Sequence, residues 1–235
     1  MQIAARTAAW AKSGGGVPTA KDYVQDSAFV FWDGIENAGL GLPHDPLATQ
    51  ITDLSGNENN LPNTNMTIGE SGFTINGPSA QVVITPKAYL EMTVELLIDF
   101  NENHKNYLHF REEASARGCL LAEGSTKNGL KSYYIPWRQI TEGRNIENPQ
   151  LGTRLVTFRW KDGFQDLYYD AENVASGTSV IDSTRNTLTW LYLNTYNGSI
   201  ETPITYRRVT LHDAYLSDEQ IAENYAIDKA RFNLT

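Results

Sequence analysis

What this chain lacks narrows its function before anything it contains. It has a single cysteine, Cys119, so no disulfide can form within it. Set in Gly118-Cys119-Leu120-Leu121-Ala122, that thiol reads as a small hydrophobe in a buried strand, with no base placed beside it. No apolar run reaches membrane-spanning length. Near the start, Arg6 interrupts the small apolar residues on either side, which leaves no signal-peptide core, so cytoplasmic synthesis and retention, or release by lysis, is expected. Cations are scarce as well: 19 Lys and Arg face 28 Asp and Glu, a net charge of -9. No basic stripe runs along the sequence, and neither nucleic acid nor membrane is an expected partner.

Catalytic signatures are missing too. There is no Gly-x-Ser-x-Gly elbow and no His-Glu-x-x-His pair, and His44, His104, His109 and His212 are scattered. Ser13-Gly14-Gly15-Gly16-Val17-Pro18 lacks the lysine and the strand-to-helix context of a phosphate loop.

What is present is a succession of short strands. Apolar and β-branched runs at residues 29–34, 81–85, 93–100, 107–110, 119–122 and 132–135 are separated by Gly, Asn and Pro. Pro86 is read as ending the second of these. The clearest hairpin joins residues 154–160 to residues 164–169 through Asp162-Gly163, with Val156, Phe158 and Trp160 on the inward face. Residues 187–193 supply a further strand. In the closing strand Val209 and Leu211 alternate with Arg208, Thr210 and His212, the pattern of a strand buried on one face. Ser217 then opens a helix as an N-cap, with Gln220 completing a capping box and Leu216 and Ile221 at the staple positions. Lys229 and Arg231 fall in its last turn, where the macrodipole favours cations.

The closing strand and Ala214-Tyr215-Leu216-Ser217-Asp218-Glu219-Gln220-Ile221-Ala222-Glu223-Asn224-Tyr225 resemble the C-terminal signature of LamG-like domains in the concanavalin A-like lectin/glucanase superfamily. The opening is similar to LamG-like proteins encoded by gut-bacterial genomes and their tailed phages, of the crAss-like kind: Phe31-Trp32-Asp33-Gly34-Ile35, His44-Asp45-Pro46 and Ile51-Thr52-Asp53-Leu54-Ser55-Gly56-Asn57. The resemblance implies an all-β fold, a two-sheet antiparallel jelly-roll sandwich over residues 27–235 with a short C-terminal helix. Residues 1–26 read as an arm with an Ala-rich helix over residues 3–12 and a Gly-rich joint. Glycosidases of that superfamily place Glu-x-Asp-x-(x)-Glu on one strand, two carboxylates about 5–5.5 Å apart for retaining chemistry. Here Glu95 and Asp99 are four apart, and Asp166 and Asp170 lack a third acid. A non-enzyme is expected.

Aromatic rings stack on sugar C–H faces while amides bond hydroxyls, so Tyr133, Tyr134, Trp137, Asn194, Tyr196 and Asn197 are the candidate carbohydrate contacts, with Asn128 and Tyr192 nearby. Asp53, Asn57 and Asn59 are candidate oxygen ligands for calcium, and equally turn formers. Ile3, Trp10 and Val17 are the apolar positions of a candidate assembly arm. The expected role is a structural or adhesion protein of a tailed-phage virion: a head decoration, head fibre or tail adhesin. Its arm would bind other virion proteins, its sandwich would bind glycans, and it would be assembled in the host cytoplasm, with a trimer the suggested oligomer. A bacterial extracellular carbohydrate-binding module is the alternative, and a glycoside hydrolase is third.

Overall fold

A computed structural model describes residues 16–77, 82–100, 106–111, 120–123, 129–133, 144–147, 151–178, 187–194 and 203–235. After a single 3-10 turn (Ala20–Asp22) come β1 (Ala28–Asp33), β2 (Gln50–Ile51), β3 (Leu61–Pro62), β4 (Met66–Gly69) and β5 (Gly72–Ile75). The middle of the chain supplies β6 (Val82–Ala88), β7 (Met92–Phe100), β8 (Asn106–Arg111), β9 (Leu120–Glu123), β10 (Gly129–Tyr133) and β11 (Arg144–Glu147). Then follow β12 (Gly152–Lys161), β13 (Phe164–Tyr169), β14 (Glu172–Gly177), β15 (Thr187–Leu193), β16 (Ile204–His212) and the helix α1 (Asp218–Phe232).

These strands make two antiparallel sheets, as the all-β sandwich reading expects. The eight-stranded sheet runs β14-β13-β12-β7-β16-β5-β4, with β1 also paired to β16. The six-stranded sheet runs β11-β10-β9-β8-β15-β6, and β2 and β3 form a small separate pair. One edge of β16 is divided: its first half pairs with β5 and its second half with β1. The two partner strands meet end to end at Gly34 and Gly72. A Cβ added to Gly34 would lie 2.5 Å from the Gly72 Cα, so only a residue without a side chain fits there.

The inward faces interdigitate in one core. Val94, Leu96 and Ile98 of β7 meet Val156, Phe158 and Trp160 of β12, with Val209 and Leu211 of β16 beside them. Leu108, Leu191 and Leu193 close that core from the six-stranded sheet. The β12–β13 hairpin forms as its Asp162-Gly163 turn predicts, with Gly163 at φ 80°. Pro86 departs from expectation, because β6 runs through it. The strand lies at an edge of its sheet and its register shifts there, so the missing N–H costs no required ladder bond.

Two further expectations are corrected. β16 is buried on both faces, since Arg208 and His212 are as inaccessible as Val209 and Leu211. The boundary placed at residue 26 also falls inside a packed segment: Pro18, Ala20 and Tyr23 are buried, and Tyr23 packs edge-on to Phe31 with ring centroids 5.5 Å apart. The helix expected over residues 3–12 lies outside the described residues.

Candidate functional site

The outer faces of the two sheets are built from opposite materials. Over the eight-stranded sheet, α1 and the segment around Tyr23 cover a layer of charged side chains. Arg208 of β16 sits at its centre: Nε and Nη2 donate to the two carboxylate oxygens of Asp228 on α1, both at 2.8 Å, and Nη1 donates to Glu95 of β7 at 3.0 Å. Asn224, one turn before Asp228, donates to the same Glu95 oxygen at 2.8 Å. The Tyr23 hydroxyl donates to Asp228 at 2.7 Å, and its ring lies 4.6 Å beneath the Arg208 guanidinium and 5.4 Å from that of Arg231. Arg231 reaches both oxygens of Asp33 at 2.8 and 3.0 Å and Glu36 at 3.2 Å. Glu36 in turn accepts from the Ala20 and Gly41 backbone N–H groups, at 2.6 and 2.7 Å.

Burial alone would push the Glu95 carboxyl up. The adjoining Arg208 charge and the hydrogen bond and charge of His212 override it and lower the pKa to about 2. Asp33 and Asp228 move up instead, because for them burial outweighs pairing with Arg231 and Arg208 respectively. Nearer the hairpin tip, Arg159 bonds Asp166 at 3.0 Å and the Leu216 carbonyl at 2.5 Å, and its guanidinium is held between the rings of Tyr168 and Tyr215. Each carboxylate in this layer is committed to an arginine, as buried charges must be. The alternation in residues 208–212 signals a solvated face; a cover held 16 to 20 residues further on is invisible to it. The signal available was the charge itself, an Arg-x-Thr-x-His row on a strand followed by Asn224, Asp228 and Arg231 on one helical stripe.

The six-stranded sheet presents aromatics outward instead. Trp190 and Tyr192 of β15 are partly exposed, between the buried Thr189, Leu191 and Leu193, and Val83 opposite Trp190 is 61% exposed. The register carries this face across the sheet: Tyr192 stands opposite His109, His109 opposite Leu120, and Leu120 opposite Tyr133. Tyr133 therefore shares a cross-strand row with Tyr192. The sequence singles out Tyr192, while Trp190, two residues before it, reads only as part of a strand.

Asn194 is not a surface contact. It is fully buried at φ 52°, and its amide donates to the Ile75 carbonyl at 3.0 Å, tying β15 to β5 in the other sheet. Tyr134, Trp137, Tyr196, Asn197, Asn128 and Cys119 lie outside the described residues, as do Ile3 and Trp10 of the arm; Val17 is exposed.

Asp53, Asn57 and Asn59 are near one another but serve as a loop clasp. Asp53 accepts from the backbone of Phe31 (2.8 Å), Ser55 (3.1 Å) and Asn59 (3.0 Å) and from the Ser55 hydroxyl (2.8 Å). Asn59 donates to the Phe29 carbonyl at 2.6 Å, and Asn57 donates to Ser55 at 3.0 Å. A carboxylate ringed by N–H and O–H donors is turn chemistry, the other of the two roles expected for these residues. Among the described residues no group of three or more His, Cys, Asp or Glu is placed to hold a metal. No described helix is long and apolar enough to cross a membrane.

No protein-family model matches the chain, and no curated protein matches its sequence. Solved structures do match. Trypanosoma rangeli sialidase superposes with a TM-score of 0.63 at 14% identity, over 92% of this chain and 34% of that one. The binding domain of botulinum neurotoxin DC, solved in complex with rat synaptotagmin II, superposes with a TM-score of 0.61 at 13% identity, over 86% of this chain and 52% of that one. The chain thus spans about a third to a half of these neighbours. At such identities the likeness shows the fold, a sheet-rich β-sandwich.

Proposed function

We propose that this protein is a non-catalytic glycan-binding module whose contact surface is the outer face of the six-stranded sheet. One observation carries the reading: Trp190 and Tyr192 stand partly exposed on that face, in register with the exposed Val83 and the Tyr133 position. Flat apolar rings on a rigid sheet offer the platform that sugar C–H faces stack upon. Lack of catalysis is supported by the engagement of Glu95, Asp33, Asp166 and Asp228 with arginines. Among the neighbours in fold, the sialidase has been solved with sialic acid bound, which makes a sugar ligand a natural first test on this scaffold.

The finer reading is a virion component of a tailed phage: a head decoration, head fibre or tail adhesin belonging to the LamG-like group. Its support is the resemblance of the residues 31–57 motifs and the apolar positions Ile3, Trp10 and Val17 ahead of the sandwich. Such an arm would bind other virion proteins, with a trimer as the oligomer. The test has two parts. Glycan-array binding followed by calorimetry should find a sugar ligand that Trp190→Ala and Tyr192→Ala weaken; a blank array sinks the glycan reading. Immunogold microscopy of an infected culture should label intact particles; label on bacterial envelopes with clean particles favours the bacterial extracellular module instead.

A further inference from the structure

Resting on the six-stranded face as the glycan site, we infer that the sugar it takes is acidic, carrying carboxylates as uronic and sialic acids do. The chain as a whole is acidic, with 28 Asp and Glu to 19 Lys and Arg. The register rows of this one face nevertheless gather cationic residue types. Arg111 stands opposite Trp190, which itself stands opposite Val83. Lys87 is opposite Leu188, two positions before Trp190 in β15. Lys131, two positions before Tyr133 in β10, is opposite Ala122 on one side and Asn145 on the other. His109 occupies the row between Tyr192 and Leu120. By register these positions share the parity of Trp190 and Tyr192, opposite to that of Leu108, Leu191 and Leu193. Among the described residues, the acidic position of the same parity is Glu147, opposite Gly129 on the outermost strand.

Linear sequence shows no basic stripe, because residues 87, 111 and 131 are some twenty apart; the sheet assembles one. On the other face Arg159, Arg208 and Arg231 are each held by a carboxylate within 3.0 Å. A carboxylated sugar supplies both complements at once, a C–H face for the rings and a planar carboxylate for a guanidinium. A nucleic acid fits worse, since the remaining surface of a chain with net charge -9 repels a long polyphosphate.

The experiment is calorimetric titration of the full chain with polygalacturonate oligomers and with neutral galactan of equal length, alongside sialyllactose and lactose, at low and physiological salt. One acidic member should bind about tenfold tighter than its neutral partner, with the advantage shrinking as salt screens it. Arg111→Gln and Lys131→Gln should abolish the advantage of the acidic member and its salt dependence. Equal, salt-independent affinity within both pairs overturns the acidic inference and leaves the glycan-binding reading standing. No binding of any sugar, with a blank array, removes that reading itself. Displacement of the oligogalacturonate by single-stranded DNA at equal charge concentration would mean a general polyanion surface, and would overturn the inference as well.

Discussion

The two sheets of this sandwich carry outer faces of opposite make. On the eight-stranded sheet, Glu95, Arg208 and His212 are fully buried beneath α1, and the charges of strand, helix and N-terminal segment neutralise one another. On the six-stranded sheet, Trp190 and Tyr192 keep part of their surface in solvent. The difference teaches that residue type alone does not mark a functional surface. An arginine on a strand, as Arg208 is, becomes a structural rivet when a helix returns to meet it. Stability should therefore answer to substitutions on the first face, and binding to substitutions on the second.

The largest effect should come from Arg208→Met, which strips the partner from two buried carboxylates at once. A loss of about 3–5 kcal/mol in urea unfolding is expected, the usual cost of leaving a buried charge uncompensated. Replacing Glu95 with Gln and Asp228 with Asn in the same chain should recover a large part of it, since a neutral layer has nothing left unpaired. Sugar binding should be unchanged in any of these variants that still folds. A fall in affinity without a fall in stability would break the separation of the two faces.

Acid should reveal the same network. The Glu95 pKa is lowered in the fold to about 2, from an ordinary 4.5. Between those values the folded chain binds fewer protons at this site than the unfolded one. Its contribution is therefore complete above about pH 4.5 and is lost as pH falls toward about 2. Asp33 and Asp228 are shifted up and act with the opposite sign, so the whole-protein curve mixes both. Comparing wild type with Glu95→Gln isolates the term: their stability difference should shrink steadily as the pH is lowered from 5 toward 2, and a constant difference would place the Glu95 charge outside the network.

On the open face the expected effect is smaller and of another kind. Trp190→Ala should weaken sugar binding about tenfold, ~1.4 kcal/mol, as the loss of a central aromatic contact does. Because that ring is only partly covered, the unfolding midpoint should move little. A large stability loss with unchanged affinity would reassign Trp190 to packing.

Much of the fold was legible because it rests on local rules. Period-two alternation found β7, β12, β13 and β15, the Asp162-Gly163 turn found the hairpin, and Ser217 with Gln220 marked the start of α1. The short strands β2 to β5 were missed, since two to four residues carry no readable period. The site was harder. Asn194 looked like surface amide chemistry because a turn-forming residue after a strand usually is; its burial depends on β5, 119 residues away at Ile75. The row joining Tyr192 to Tyr133 passes through four strands, and only pairing reveals it. Long-range register, not residue character, is the information a single sequence withholds here.

The gentlest test touches the cover itself. Ser217 accepts from the Gln220 N–H at 3.2 Å, and the Gln220 side chain accepts from the Ser217 N–H at 2.9 Å, so each satisfies a donor that the first helical turn would leave open. Ser217→Ala removes the first of these bonds and should cost about 1 kcal/mol. Since α1 carries Asn224, Asp228 and Arg231 down onto the sheet, fraying at its start should reach the nearer bonds first, those of Arg159 to Leu216 and of Tyr168 to Asp218 at 2.7 Å. Hydrogen exchange should quicken in residues 217–222 and remain slow around Asp228, where Arg208 and Tyr23 hold the helix from below. Uniform acceleration along all of α1 would mean that helix and sheet separate as one unit, and that the charge layer secures the cover less firmly than the cap does.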